Sequence, residues 1–208
     1  MGFKKIKLII EQNIKTLPIA KVAEVLKKSE DLNLTDWNAM NIATVGLKNI
    51  PSSRMVLLKK INDDGLVFYT NFNSKKGQDL SKNQSIAVNF WWRELHEQIR
   101  IEGEVAEMPP EKSDEYFNSR PLKSRIAAIV SQQSEKIESP ETLQKEIDDL
   151  TEQFELNGDT PERPKHCGLY LIKPSAIELW KEGDFRAHQR EKYLKKDDET
   201  WESCFLSP

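Results

Sequence analysis

Cysteine is nearly absent, with two in 208 residues, Cys167 and Cys204. They are too few for a disulfide framework, and they lack metal-ligand spacing. His166 adjoins Cys167, but no second cluster completes a coordination shell, so no metal is expected. Long apolar runs are missing too. Leu8-Ile9-Ile10, behind the N-terminal lysines, is far shorter than a signal-peptide core and ends at Glu11. No other stretch approaches membrane-spanning length. Neither sign of charge dominates, since 31 Lys and Arg stand against 34 Asp and Glu for a net −3. Basic residues alternate with acidic ones instead of forming a stripe, which excludes a nucleic-acid footprint. Repeats and low-complexity tracts are absent. A soluble cytoplasmic chain with no membrane or nucleic-acid partner is expected.

At 38% apolar content, 208 residues can bury a real core and suit one domain. An arm and helix occupy residues 1–39, with Pro18 in the first turn and Ile19, Val22, Val25 and Leu26 at helical spacing. The centre of the chain is the stretch from Arg54 to Asn71. Two β-branched and aromatic runs flank a turn ending in Asp64-Gly65, a hairpin signal in which Gly65 takes the positive φ. Arg54 and Lys59 are an odd number of residues apart, so on an unbulged strand they face opposite sides; if both bind something they bind different things, and otherwise they are the solvated basic ends of an amphipathic hairpin. Ser74-Lys75-Lys76-Gly77 places cations and a hydroxyl where a helix starts, which suits a phosphate.

Strands are expected over residues 40–47, 85–92 and 98–107. In the last of these Ile99, Ile101 and Val105 face one way, and Gly103 marks a bulge or a close approach. Trp91-Trp92 puts one indole on each strand face, one for the core and one for a dimer or cofactor contact. A helical insert over about 109–156 carries Tyr116-Phe117, breaks at Arg120-Pro121, resumes at Ser124, and resumes again at Ser139-Pro140-Glu141. Taken alone, Tyr116 and Phe117 suit a helix core, and Arg120 suits a helix-terminal cation. Four more strands follow, over 167–172, 175–180, 188–194 and 200–206, the third with His188 between two arginines. Short, mostly antiparallel strands around one helical block give an α+β protein built on a small barrel, spanning residues 40–208.

Read in order, Arg54-Met-Val-Leu-Leu-Lys59, Phe68-Tyr-Thr-Asn71, Ser74-Lys-Lys76, Gln98-Ile-Arg100, Tyr116-Phe-x-x-Arg120-Pro-x-x-Ser124, Ser131-Gln-Gln-Ser134, Glu178-Leu-Trp180 and Arg186-Ala-His188-Gln-Arg190 resemble the motif series of the pyridoxine/pyridoxamine 5′-phosphate oxidase family. The resemblance implies an antiparallel split β-barrel with peripheral helices that forms a homodimer, with FMN at the subunit interface. Such enzymes oxidise pyridoxine or pyridoxamine 5′-phosphate to pyridoxal 5′-phosphate with O2, releasing H2O2. The implied cofactor contacts are Arg54, Met55, Val56, Leu57, Leu58, Lys59, Tyr69, Thr70, Lys75, Lys76, Gln98, Gln133, Ser134, Trp180 and Arg190. Lys59, Tyr116, Arg120 and Ser124 would hold the substrate phosphate, and Arg186 and His188 would meet the reacting ring. Some family features differ here. An Arg-Leu-His-Asp-Arg run reads Arg186-Ala187-His188-Gln189-Arg190, a Trp-Gly-Gly reads His166-Cys167-Gly168, a closing Arg-Leu-x-Pro reads Phe205-Leu206-Ser207-Pro208, and an Arg-Arg-x-Tyr arm segment is missing. Two other readings stay open at this point: an FMN oxidase of another small ring substrate, as in phenazine biosynthesis, and a non-catalytic flavin or pyridoxal-phosphate binder.

Overall fold

In the computed structural model, which describes residues 8–208, the central hairpin is present. Strand β3 (Pro51–Asn62) turns through Asp63 and Asp64 into β4 (Gly65–Asn71), with Asn62 opposite Gly65. Gly65 has φ +139°, and a Cβ there would strike the carbonyl of Ile172, so no other residue fits this corner. Ahead of the hairpin come β1 (Ile9–Ile10), helix α1 (Leu17–Asp31) and β2 (Ala39–Val45). The arm expected ahead of the first helix is therefore a strand at Ile9–Ile10, parallel to β3. Residues 1–7 lie outside the described ones. After the hairpin come α2 (Lys75–Leu80), β5 (Ser85–Trp92) and β6 (Glu97–Glu107). The helical insert follows as α3 (Pro110–Asn118), α4 (Leu122–Val130) and α5 (Pro140–Asn157), and the chain closes with β7 (Cys167–Lys181), β8 (Gln189–Lys195) and β9 (Trp201–Phe205).

The strands close a barrel because β4 pairs with both β3 and β7, completing the ring β3-β2-β5-β6-β7-β4. Its interior is packed with Met40, Ile42, Leu58, Ile61, Phe68, Val88, Phe90, Ile99, Ile101 and Ile177, all buried. Each such side chain removed from water contributes on the order of 1.5–3 kcal/mol. Helix α1 lays Ile19, Val22 and Leu26 on this core, as its spacing foretells. Helix α5 begins as its sequence demands: the Ser139 hydroxyl accepts from the Thr142 amide at 3.1 Å, with Pro140 in the first turn.

The 167–172 and 175–180 segments, expected as two strands, form one strand, β7, of 15 residues. Proline is tolerated mid-strand here because Pro174 falls in a gap on one edge. There, β4 stops pairing at Ile172 and β8 starts at Ala176. On the other edge the register shifts between Glu102 and Gly103, and a Cβ on Gly103 would collide with the Lys173 carbonyl. Gly103 thus marks both the bulge and the close approach. A second irregularity corrects the parity argument. β3 is not unbulged: its register against β4 shifts between Leu58 and Lys60, so Lys59 is the extra residue. The buried face runs from Leu58 to Ile61.

Candidate functional site

Two groups of cations flank the hairpin. The first gathers around Arg54, whose Nη1 donates to the Thr44 hydroxyl and whose Nη2 donates to the Ser52 hydroxyl, both at 2.8 Å. β2 carries Thr44 opposite Ser52, which is why the side chains meet. Ser74 caps α2, accepting from the Gly77 amide. Lys76 follows with its ammonium donating to Ser74 Oγ at 3.0 Å and to Gln133 Oε1 at 2.8 Å. Thr70 donates to the same Gln133 oxygen at 3.4 Å, and the Lys75 amide donates to Ser134 Oγ at 3.2 Å. Thus Arg54, Thr70, Lys75, Lys76, Gln133 and Ser134, far apart in sequence, converge. Burial and then the Arg54 charge push the Lys76 ammonium down to about 8. Burial also lowers Arg54. Cations held this way are a fit for a multivalent anion.

The second group stands where β4 meets the helical insert. Tyr69 and Tyr116 pack with ring centroids 4.9 Å apart, Arg120 lies over Tyr69 at 5.1 Å, and the Lys59 ammonium lies over Tyr116 at 5.9 Å. Burial, then Arg120, push Lys59 down to about 8. Burial pushes the Tyr116 phenol up to about 12 and raises Tyr69 further. Among the described residues the Tyr69 hydroxyl and Arg120 Nη1 are buried without a hydrogen-bond partner, which costs about 1–3 kcal/mol each unless a ligand supplies one. Ser124 sits half-buried in the first turn of α4, which begins at Leu122, two residues earlier than expected. Tyr116 and Arg120 are not plain core and cap residues. Phe117 takes the core role, fully buried.

The β3 positions that the resemblance assigns to a flavin divide by face. Leu58 is fully buried, whereas Met55 and Leu57 are exposed at 61% and 44%. β4 pairs with β3 only from Leu58 onward, so the edge of residues 51–57 facing away from β2 has no strand partner among the described residues. Its amides and carbonyls are free to meet a ligand, whereas the Leu58 backbone is engaged: its amide donates to the Asn38 carbonyl at 2.9 Å and its carbonyl accepts from the Asn38 side-chain amide at 3.0 Å.

The remaining candidates lie elsewhere. Gln98, Trp180 and Arg190 form one row across β6, β7 and β8. Trp91 adds its edge to Trp180 at 5.9 Å, half-exposed, while Trp92 stacks on Phe90 and donates to the Trp37 carbonyl. The two indoles thus split between core and surface. His188 lies 4.7 Å from Trp180, ring to ring, and its Nδ1 accepts from the Gly183 amide at 3.3 Å. That bond leaves Nε2 as the protonated nitrogen. His188 precedes β8 instead of lying on it, because Phe185 and Arg186 turn the chain with φ of +53° and +65°. Arg190 Nε donates to Glu178 at 2.8 Å, and its Nη1 donates to the Ser207 carbonyl at 2.9 Å. The closing segment therefore holds this arginine through the backbone of Ser207, a position its motif leaves variable, and the Leu206 amide donates to the Arg190 carbonyl at 2.9 Å. This row sits at the Lys181 end of β7, while Thr70 and Asn71 pair at the Cys167 end. The strand's 15 residues give a contour of about 50 Å at ~3.3 Å per residue. Within one chain the two halves of the expected site are not brought together.

Sequence reasoning missed Asp79 and Thr44, both buried among the Arg54 group. The signal for Asp79 was its place four residues after Lys75, with which it pairs at 2.5 Å.

The depressed lysines give a pH expectation. In the folded chain Lys59 and Lys76 release their protons near 8, and in the unfolded chain near 10.5. Between these values the unfolded state binds more protons, so stability rises with pH; below about 8 the full penalty persists. In flavin-free protein Lys59→Met should therefore be stabilising relative to wild type at pH ~7.5, an advantage that shrinks by pH ~9.5. Denaturant unfolding at both values checks it, and a pH-independent difference would refute it.

Residues 26–154 match the family described as "Pyridoxamine 5'-phosphate oxidase", and residues 168–208 match "Pyridoxine 5'-phosphate oxidase C-terminal dimerisation region". A relative from Trichormus variabilis, named pyridoxine/pyridoxamine 5′-phosphate oxidase, is 41% identical over 198 residues, covering 95% of this chain and 92% of its own. PhzG from Burkholderia lata, solved with tetrahydrophenazine-1-carboxylic acid, superposes with a TM-score of 0.86 at 24% identity, covering 95% of each chain. A pyridoxamine 5′-phosphate oxidase-related, FMN binding protein from Nostoc punctiforme superposes with a TM-score of 0.73 at 16% identity, covering 91% of this chain and 96% of that one. The two structures share the split-barrel fold.

Proposed function

The chain belongs to the pyridoxamine 5′-phosphate oxidase family, and from that membership we propose an FMN-dependent oxidase of pyridoxine or pyridoxamine 5′-phosphate. O2 is the acceptor, and pyridoxal 5′-phosphate and H2O2 are the products. The observation that carries this reading is the pair of separate cation groups, one around the buried Lys76 and one around the half-buried Lys59, with both ammonium groups lowered to about 8. Two phosphates would compensate them, one on the cofactor and one on the substrate. Bound FMN supplies the two-electron acceptor. Arg54, Lys75, Lys76 and Ser134 would hold its phosphate, and the free edge of residues 51–57 would offer it backbone donors and acceptors.

Lys59, Arg120, Tyr116 and Ser124 hold the substrate phosphate. Anchoring that dianion makes the transfer effectively intramolecular. The Arg120 guanidinium offers a planar fork, with Nη1 already lacking a partner. Arg186 and His188 orient the ring, the latter through its free Nε2–H. These two residues, with Trp180 and Arg190, lie within the matched dimerisation region, so a second copy of the chain supplies them to each site. The cytoplasm, where two unpaired cysteines persist, is the proposed setting.

The test is anaerobic. Pyridoxine or pyridoxamine 5′-phosphate should bleach the flavin of the purified yellow protein. Bleaching by tetrahydrophenazine-1-carboxylic acid alone would move the substrate to the phenazine class. Bleaching by none of them would leave a flavin binder without this activity.

A further inference from the structure

The Arg54 group contains a carboxylate, which is unexpected beside a phosphate site. Asp79 is 5% exposed and Thr44 is fully buried. The Thr44 hydroxyl donates to Asp79 Oδ2 at 2.9 Å, while Arg54 Nη1 donates to the same hydroxyl oxygen at 2.8 Å. A hydroxyl has one proton. Because the carboxylate takes it, the oxygen's lone pairs are left facing the guanidinium, and the bond to Arg54 can have only one direction. The other Asp79 oxygen accepts from Lys75 Nζ at 2.5 Å. Burial favours a protonated Asp79, but the bonds from Lys75 and Thr44 and the charges of Lys75 and Arg54 outweigh it and lower its pKa. The carboxylate is therefore charged at neutral pH. Three cations, Arg54, Lys75 and Lys76, then share one internal anion. The remainder matches a dianionic phosphate.

We propose that Asp79 and Thr44 are positioning residues for Arg54, a buried carboxylate–hydroxyl relay that fixes its guanidinium for a phosphate. The relay rests on reading this group as the flavin phosphate site. A mere packing role for Thr44 would affect the fold and every ligand alike. A relay affects only ligands that carry phosphate.

The experiment uses full-length protein stripped of flavin. FMN and riboflavin are titrated by flavin fluorescence, and inorganic phosphate by its thermal stabilisation of the protein. Thr44→Val should weaken FMN at least about tenfold while changing riboflavin less than about twofold, and Thr44→Ser should stay within about threefold of wild type. In a double-mutant cycle Asp79→Ala should weaken FMN more with Thr44 present than in the Thr44→Val background, by about fivefold or more. Charge relief from losing Asp79 acts equally in both backgrounds, so it cancels from the cycle. Unchanged FMN affinity in Thr44→Val, an equal loss of riboflavin, or an additive cycle overturns the relay. Wild-type protein stabilised by phosphate but not binding FMN would overturn the flavin reading, and the same variants would then be scored against phosphate. Binding of neither would overturn both.

Discussion

Arg120→Ala should raise KM for pyridoxine 5′-phosphate at least tenfold, roughly 1.4 kcal/mol, with flavin content near that of wild type. The loss is large because Arg120 contributes more than charge. Its Nη1 is buried without a partner among the described residues and its guanidinium lies over Tyr69, so the fork is already desolvated before a ligand arrives. A charge-assisted bond in such a setting contributes about 1.5–3 kcal/mol. Part of the loss is recovered, because burial chiefly depresses Lys59 but Arg120 adds to it, and removing that repulsion restores some of the Lys59 charge above pH ~8. Arg120→Lys should fall between, keeping charge without the planar fork. Steady-state kinetics with the flavin absorbance of each variant checks this. Loss of flavin in Arg120→Ala, or unchanged kinetics, would show that the two cation groups do not serve separate phosphates.

The hairpin, the α5 cap and the buried face of β6 were legible because each is written in neighbouring residues: a glycine at a turn, a serine before a proline, an alternation of apolar side chains. What escaped was set by distant partners. Pro174 looks like a strand end until β4 and β8 are seen to leave its edge vacant. The extra residue at Lys59 depends on the register of β4, and no local pattern announces it. His188 falls off β8 because two non-glycine residues adopt positive φ just before it, a strain that propensity argues against. In the site, the motif order named residues on both cation groups, and the structure does bring Arg54 to Lys76 and Lys59 to Arg120. Thr44 was silent and the Lys75–Asp79 spacing was a weak signal, because a threonine in a strand and an aspartate on a short helix have many duller explanations.

The separation of the site's halves within one chain sets the largest expected effect. Lys59 and Arg120 lie in the matched N-terminal region, and Arg186 and His188 lie in the dimerisation region, by the far end of β7 from Thr70 and Asn71. On the proposed reading, a homodimer contains two sites, each drawing one half from either copy. Lys59→Ala with Arg120→Ala in one chain should abolish activity, as should Arg186→Ala with His188→Ala in another. Co-expressed under separate tags, the two chains form hybrid dimers in which one site collects all four lesions and the other collects none. Random assembly makes half the dimers hybrid, so about a quarter of wild-type activity should return, and isolated hybrids should show about half. Sites built within single chains would give no recovery, since each chain carries its own lesion. Activity in purified hybrids no greater than in the parents would place both halves on one chain and require them to approach by a route that the register of β7 does not provide.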